Sequence, residues 1–126
     1  MDWEEANDIK REIRSLVKIL KFFHIKTSRI FCYRSRGSKS RSYARIWSLP
    51  KIFQRALSID AAYVIEVLSE KFDKLGVEDK QKVLLHELLH IPKNFSGALL
   101  SHRGRGRHLE SQVKSLFKQY KEITSR

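Results

Sequence analysis

His86 and His90 stand four residues apart with Glu87 directly after the first, in the H-E-x-x-H stretch His86-Glu87-Leu88-Leu89-His90. On a helix this spacing puts both imidazoles on one face, one turn apart, where two ring nitrogens can bind one zinc ion at about 2.0–2.1 Å. Glu87 then lies beside the metal rather than on it. From there it can take a proton from a zinc-bound water and later hand it to a leaving amine. From Val83 to Ile91 every residue except His86, Glu87 and His90 is aliphatic, so this helix is expected to be buried nearly all round. Imidazole and carboxylate groups are costly to bury without partners. The competing reading is a core helix whose histidines bond backbone carbonyls or Glu87; three such groups together are hard to explain as packing.

A catalytic zinc takes a third protein ligand and keeps one position open for water. Three candidates follow the motif: His102 in the next loop, His108 near the start of the last helix, and Glu110 within that helix's first turn. Glu110 comes twenty residues after His90, a separation resembling that of the thermolysin-type gluzincins, and its helical phase sets it near the core-facing stripe. By the same phase His108 points further away. Neither argument reaches His102, whose loop could fold back over the metal.

The elements that must position these groups can be read from periodicity. The motif helix is expected from Glu78, after the break at Gly76, to near Ile91, because Pro92 disfavours helix in the residue before it. Ile9, Ile13, Leu16, Val17 and Leu20 mark an N-terminal helix that Asp2 can cap, with Glu4 and Glu5 at its positive end. Arg29–Ser35 and Ser42–Trp47 are β-branched and aromatic runs flanking RGSKSR, which predicts a hairpin of two antiparallel strands. Pro50 opens a short helix over Lys51–Leu57, and Ala62–Leu68 reads as a third strand. A loop is expected from Lys93 to about Gly104. Leu109, Val113, Leu116, Phe117 and Tyr120 then share one face of a last helix. The fold class is α+β: an N-terminal helix, a small sheet of about three strands, the H-E-x-x-H helix packed on it, and a C-terminal helix.

With 126 residues and 41% hydrophobic letters the chain has one domain's worth of core, taken as residues 1–126. Twenty-six Lys and Arg against fourteen Asp and Glu give +12, which favours a polyanionic partner. The lone Cys32 excludes a disulfide scaffold and fits a reducing, cytoplasmic setting. The start, MDWEEAND, is acidic where a signal peptide is basic, and no apolar run approaches the roughly eighteen residues of a membrane span. A soluble, unprocessed protein without membrane contact is expected.

The runs YVIEVLSEKFDKL, VEDKQKVLLHELLHIPKNFSG and SHRGRGRH are similar to a group of archaeal and phage metallopeptidases related to the SprT-like zincins. The likeness covers roughly Leu49 to His108, and HELLHIP with FSG after it is more specific than H-E-x-x-H alone. The resemblance implies a minimal zincin-like fold and a zinc peptidase in which His86 and His90 hold the metal and Glu87 is the base. It also favours His102 as third ligand over Glu110 and His108. One departure is that Arg103 follows His102, where SprT-like proteins usually have Gly or Asp. In zincins an edge strand pairs with the extended substrate; here Tyr63–Leu68 is either that edge, by β-augmentation, or an interior strand. Arg103, His108 and Tyr43 are the candidate oxyanion donors.

The basic excess is uneven. No acid stands between Lys26 and Ile59, while nine cations do. Arg34, Arg36, Lys39 and Arg41 on the expected hairpin, with Arg103, Arg105 and Arg107 on a Gly-spaced loop, form two candidate phosphate-binding stretches for DNA or RNA. Tyr33, Tyr43 and Trp47 are interleaved aromatics that can stack on unpaired bases. Two functions follow. One is a zinc metallopeptidase acting on peptides or proteins, including nucleic-acid-associated ones. The other is a nucleic-acid-binding module on a zincin-derived scaffold, its zinc structural or absent.

Overall fold

Tyr63–Leu68 (YVIEVL) takes the inside of the sheet: all its residues but Val64 are buried. The computed structural model describes residues 2–102 and 108–126. In chain order the elements are β1 (Asp2–Glu5), α1 (Asn7–Ile19), a 3-10 turn (Thr27–Arg29), β2 (Ile30–Arg36), β3 (Ala44–Ser48), α2 (Lys51–Leu57), β4 (Tyr63–Leu68), α3 (Ser69–Phe72), α4 (Val77–Leu88) and α5 (Leu109–Thr124). The sheet runs β1-β2-β4-β3. The architecture is α+β, as expected, and consistent with a small zincin-like fold.

Two expectations are corrected. The hairpin does not form: β4 lies between β2 and β3, parallel to the first and antiparallel to the second. A strand this apolar is most stable with a neighbour on each edge, and the connection after Arg36 is long enough to pass over it. The sheet has four strands rather than about three, because Asp2–Glu5 pairs antiparallel with β2 instead of capping the helix. Apart from Trp3 its letters are poor strand formers, but Asp2 and Glu4 stand opposite Arg36 and Arg34 across the pair. Of the two readings open for Tyr63–Leu68, edge or interior, the interior one holds, so the sheet edges are β1 and β3.

One face of the sheet carries Ile30, Cys32, Ala44, Tyr63, Ile65 and Val67, all buried. Against it pack α1, through Ile9, Ile13 and Leu16, and α4, through Leu84, Leu85 and Leu88; α5 closes the core with Val113, Phe117 and Tyr120. Each large aliphatic side chain so buried contributes about 1.5–3 kcal/mol. Polar ties fix α1 on the sheet: Lys10 Nζ donates to the carbonyls of Thr27 and Ile30, and Arg34 bridges Asp8 and Asp73, each at 3.0 Å. Among the described residues no helix is long and apolar enough to cross a membrane.

Candidate metal centre

Helix α4 begins after Gly76 with Glu78 and Asp79 in its first turn, where carboxylates suit the positive helix end. It stops at Leu88, earlier than Ile91. The amides of His90 and Ile91 bond back three residues, to Glu87 and Leu88, each at 3.1 Å, so the last turn tightens as Pro92 approaches. His86 and His90 still face the same way, their ring centroids 5.1 Å apart.

The following loop returns to this turn. Leu100 N–H donates to the His90 carbonyl at 2.7 Å, and His102 comes to rest over both rings, with centroids 4.8 Å from His86 and 4.5 Å from His90. One nitrogen from each of the three histidines lies within 4.8 Å of the others. The His86 and His102 Nε2 atoms are 2.8 Å apart. Tetrahedral ligands at 2.0–2.1 Å from zinc are separated by about 3.3 Å, so the donor set and its spacing fit a zinc-sized cation after small side-chain adjustments. The Nδ1–H of His90 donates to the Leu100 carbonyl at 2.5 Å; a carbonyl only accepts, so this bond fixes the tautomer and leaves Nε2 as the lone-pair donor.

The returning loop is held by contacts that require particular residues. Phe95 and Gly97 adopt positive φ, 48° and 94°. A Cβ at Gly97 would lie 2.8 Å from the Leu49 carbonyl oxygen, so only glycine fits. The Tyr63 hydroxyl accepts from Gly97 N–H at 2.9 Å and donates to the Ala98 carbonyl at 2.8 Å, while Phe95 packs edge-on against its ring. Gln54 Nε2 adds bonds to the carbonyls of Leu49 and Ser96. The FSG motif thus anchors the segment that carries His102. Tyr63 and the Leu100 carbonyl were not readable as site residues, since one looks like a core aromatic and the other acts through its backbone.

Glu87 is buried beside the histidines, and burial pushes its carboxyl up to about 7. The group opens into a cleft of about 780 Å³ whose walls include Tyr43, Arg45 and Ile46 around β3, Lys82 on α4, and Glu110 and Lys114 on α5. Glu110 is exposed on that wall outside the three-histidine group, and His108 lines a separate cavity with Leu116 and His24.

The basic stretches fare differently. Arg34 is engaged by Asp8 and Asp73, and Arg36 by Glu4 at 2.8 Å. Lys39 and Arg41 are exposed on the β2–β3 connection. Arg103, Arg105 and Arg107 lie outside the described residues.

No curated protein and no solved structure matches the chain. A family model described as "Putative phage metallopeptidase" matches residues 1–119. Matched over nearly its whole length, and with three histidines gathered beside a buried glutamate, the chain belongs to that phage metallopeptidase family.

Proposed function

We propose that the protein is a zinc-dependent peptidase in which His86, His90 and His102 hold the metal and Glu87 is the general base. The observation that carries this reading is the convergence of three histidine nitrogens at the floor of an open cleft, with Glu87 buried at the same place. Structural zinc sites are closed by four protein ligands, whereas catalytic ones have three and a free position. Among the described residues three ligands gather rather than four, which favours the peptidase over a nucleic-acid-binding module with structural or absent zinc.

Zinc, when bound, supplies a Lewis acid that polarises the scissile carbonyl and acidifies a water. Glu87 takes the proton of the attacking water at a carboxylate oxygen. The same carboxyl then passes it to the amine that leaves. The Leu100 carbonyl keeps the His90 ring oriented through the cycle. An extended peptide pairs with β3, the sheet edge on the cleft, and Tyr43 in the same wall serves as oxyanion donor. Proteins carried on nucleic acid are a narrower substrate class, supported by the charge of +12 and by exposed Lys39 and Arg41. The buried free thiol of Cys32 suits a reducing, cytoplasmic setting, and one hydrophobic core shared by the sheet, α1, α4 and α5 suits a single domain over residues 1–126.

The test is metal content with activity. Protein loaded with zinc should contain one equivalent and cleave an unfolded substrate such as casein. Chelation should abolish cleavage and zinc should restore it; a zinc-loaded protein that cleaves no protein, free or DNA-bound, contradicts the reading.

A further inference from the structure

We propose that the sheet face turned away from the helices is a stacking platform for single-stranded nucleic acid, separate from the cleft and independent of the peptidase reading. The strands alternate, so the residues between the core rows point outward: Trp3 on β1, Phe31 and Tyr33 on β2, Val64 and Glu66 on β4, Arg45 and Trp47 on β3. Trp3, Phe31 and Trp47 are 61%, 44% and 51% exposed. Large rings left in water on one face mark a binding surface more often than chance.

These rings are held in place. Trp47 Nε1–H donates to Glu66 at 2.7 Å and Trp3 Nε1–H to its other oxygen at 3.4 Å, while Arg45 Nε adds a bond at 3.0 Å. Each indole's single donor is thereby turned inward, and its apolar surface stays outward. With Tyr33 and Val64 the two indoles enclose a hollow of about 300 Å³, a size suited to one planar ring. Arg45 stands 5.4 Å from the Trp47 ring centroid and Arg29 6.0 Å from that of Phe31.

The charge chooses the occupant. Phe31 and Trp47 lie in one row, on the two strands flanking Val64, near the end of the sheet where the chain enters β2 and leaves β3. The segments at that end carry Lys26, Arg29, Lys51 and Arg55 against one acid, Asp60. A second copy, also at +12, would be repelled. Exposed ring faces beside cations match unpaired bases on a phosphate backbone. The backbones of Phe31 and Trp47 are two strand spacings, about 9.5 Å, apart, so the rings take bases of an extended strand and not of a duplex, whose bases are already stacked.

The chain has two tryptophans, and both are on this face, so its intrinsic emission reads the surface directly. Intact protein is titrated with short oligo(dT), oligo(U) and a duplex at about 50 mM salt and above. Quenching by either single strand, at least tenfold tighter than by duplex and weaker with salt, supports the platform and shows whether DNA or RNA is preferred. Trp47→Leu and Phe31→Leu should each weaken binding about tenfold, Trp47→Phe much less, and Glu87→Gln not at all. Phe31→Leu leaves the Glu66 bonds untouched and guards against a folding artefact. Absence of single-strand binding at low salt overturns the proposal. So does unchanged affinity in folded Trp47→Leu and Phe31→Leu, weakened binding in Glu87→Gln, or a dimer in sedimentation that Phe31→Leu dissolves.

Discussion

His90 Nδ1 lies 2.5 Å from the carbonyl oxygen of Leu100, and the Leu100 amide returns a bond to the His90 carbonyl at 2.7 Å. This reciprocal pair couples the end of the motif helix to the loop that delivers His102. One contact therefore sets the tautomer of one proposed ligand and the position of another, so disturbing the loop should be felt at the metal.

Replacing His86, His90 or His102 by alanine should lower zinc affinity by at least about a hundredfold, more than loss of an outer partner costs. Glu110→Ala and His108→Ala should change it by less than about twofold. Competition with a chromogenic chelator measures this, and a large loss in Glu110→Ala would reassign the third ligand.

Gly97→Ala should destabilise the protein by more than about 1 kcal/mol, because its φ of 94° and the nearby Leu49 carbonyl both oppose a side chain. Tyr63→Phe removes the two bonds its hydroxyl makes to Gly97 and Ala98, at about 1–2 kcal/mol. Both variants should bind zinc more weakly although neither residue reaches the metal. Thermal melts with and without zinc check the two effects together; a melting point and zinc affinity equal to wild type would show that the loop is not held this way.

The sheet gives a stability signature in acid. Burial alone would raise the Glu66 carboxyl, but hydrogen bonds from Arg45, Trp47 and Trp3 outweigh it and hold the group at about 2, against an ordinary 4.5. A carboxyl depressed by folding contributes stability that is present above the ordinary value. It is lost as pH falls through 4.5 toward 2. Urea melts should show this decline, with a shift in tryptophan emission, and Glu66→Gln should flatten it. At neutral pH Glu66→Ala should cost about 3 kcal/mol, since it strands a guanidinium and two indole donors.

Substrate pairing on β3 can be separated from metal binding. The register bonds Tyr43 and Leu49 to β4, so by alternation the Ile46 amide points off the free edge. Proline is tolerated on an edge strand where its missing N–H faces outward. Ile46→Pro should therefore keep zinc and lower kcat/KM for peptide cleavage at least tenfold, with Ile46→Val near wild type. Unimpaired cleavage by Ile46→Pro would remove β3 from substrate binding.

The helices were legible because their apolar faces repeat at helical spacing: Ile9, Ile13 and Leu16 in α1, and Leu109, Val113, Phe117 and Tyr120 in α5, are buried as the periodicity requires. The three histidines were nameable from spacing and resemblance. Pairing order was not. Two strands either side of a Gly and Ser loop look the same whether they pair directly or through a third strand, and β1 owes its pairing to arginines about thirty residues away. The phosphate-binding role read into Arg34 and Arg36 overlooked Asp8, Asp73 and Glu4, distant in sequence and adjacent in space.

Zinc content and casein cleavage, measured together on wild type and Glu87→Gln, decide whether this site is a peptidase centre. Both proteins should hold one zinc per chain, and kcat should fall about a hundredfold to ten-thousandfold in the variant. Cleavage that survives the substitution, or a wild-type chain that binds no zinc, would contradict that role.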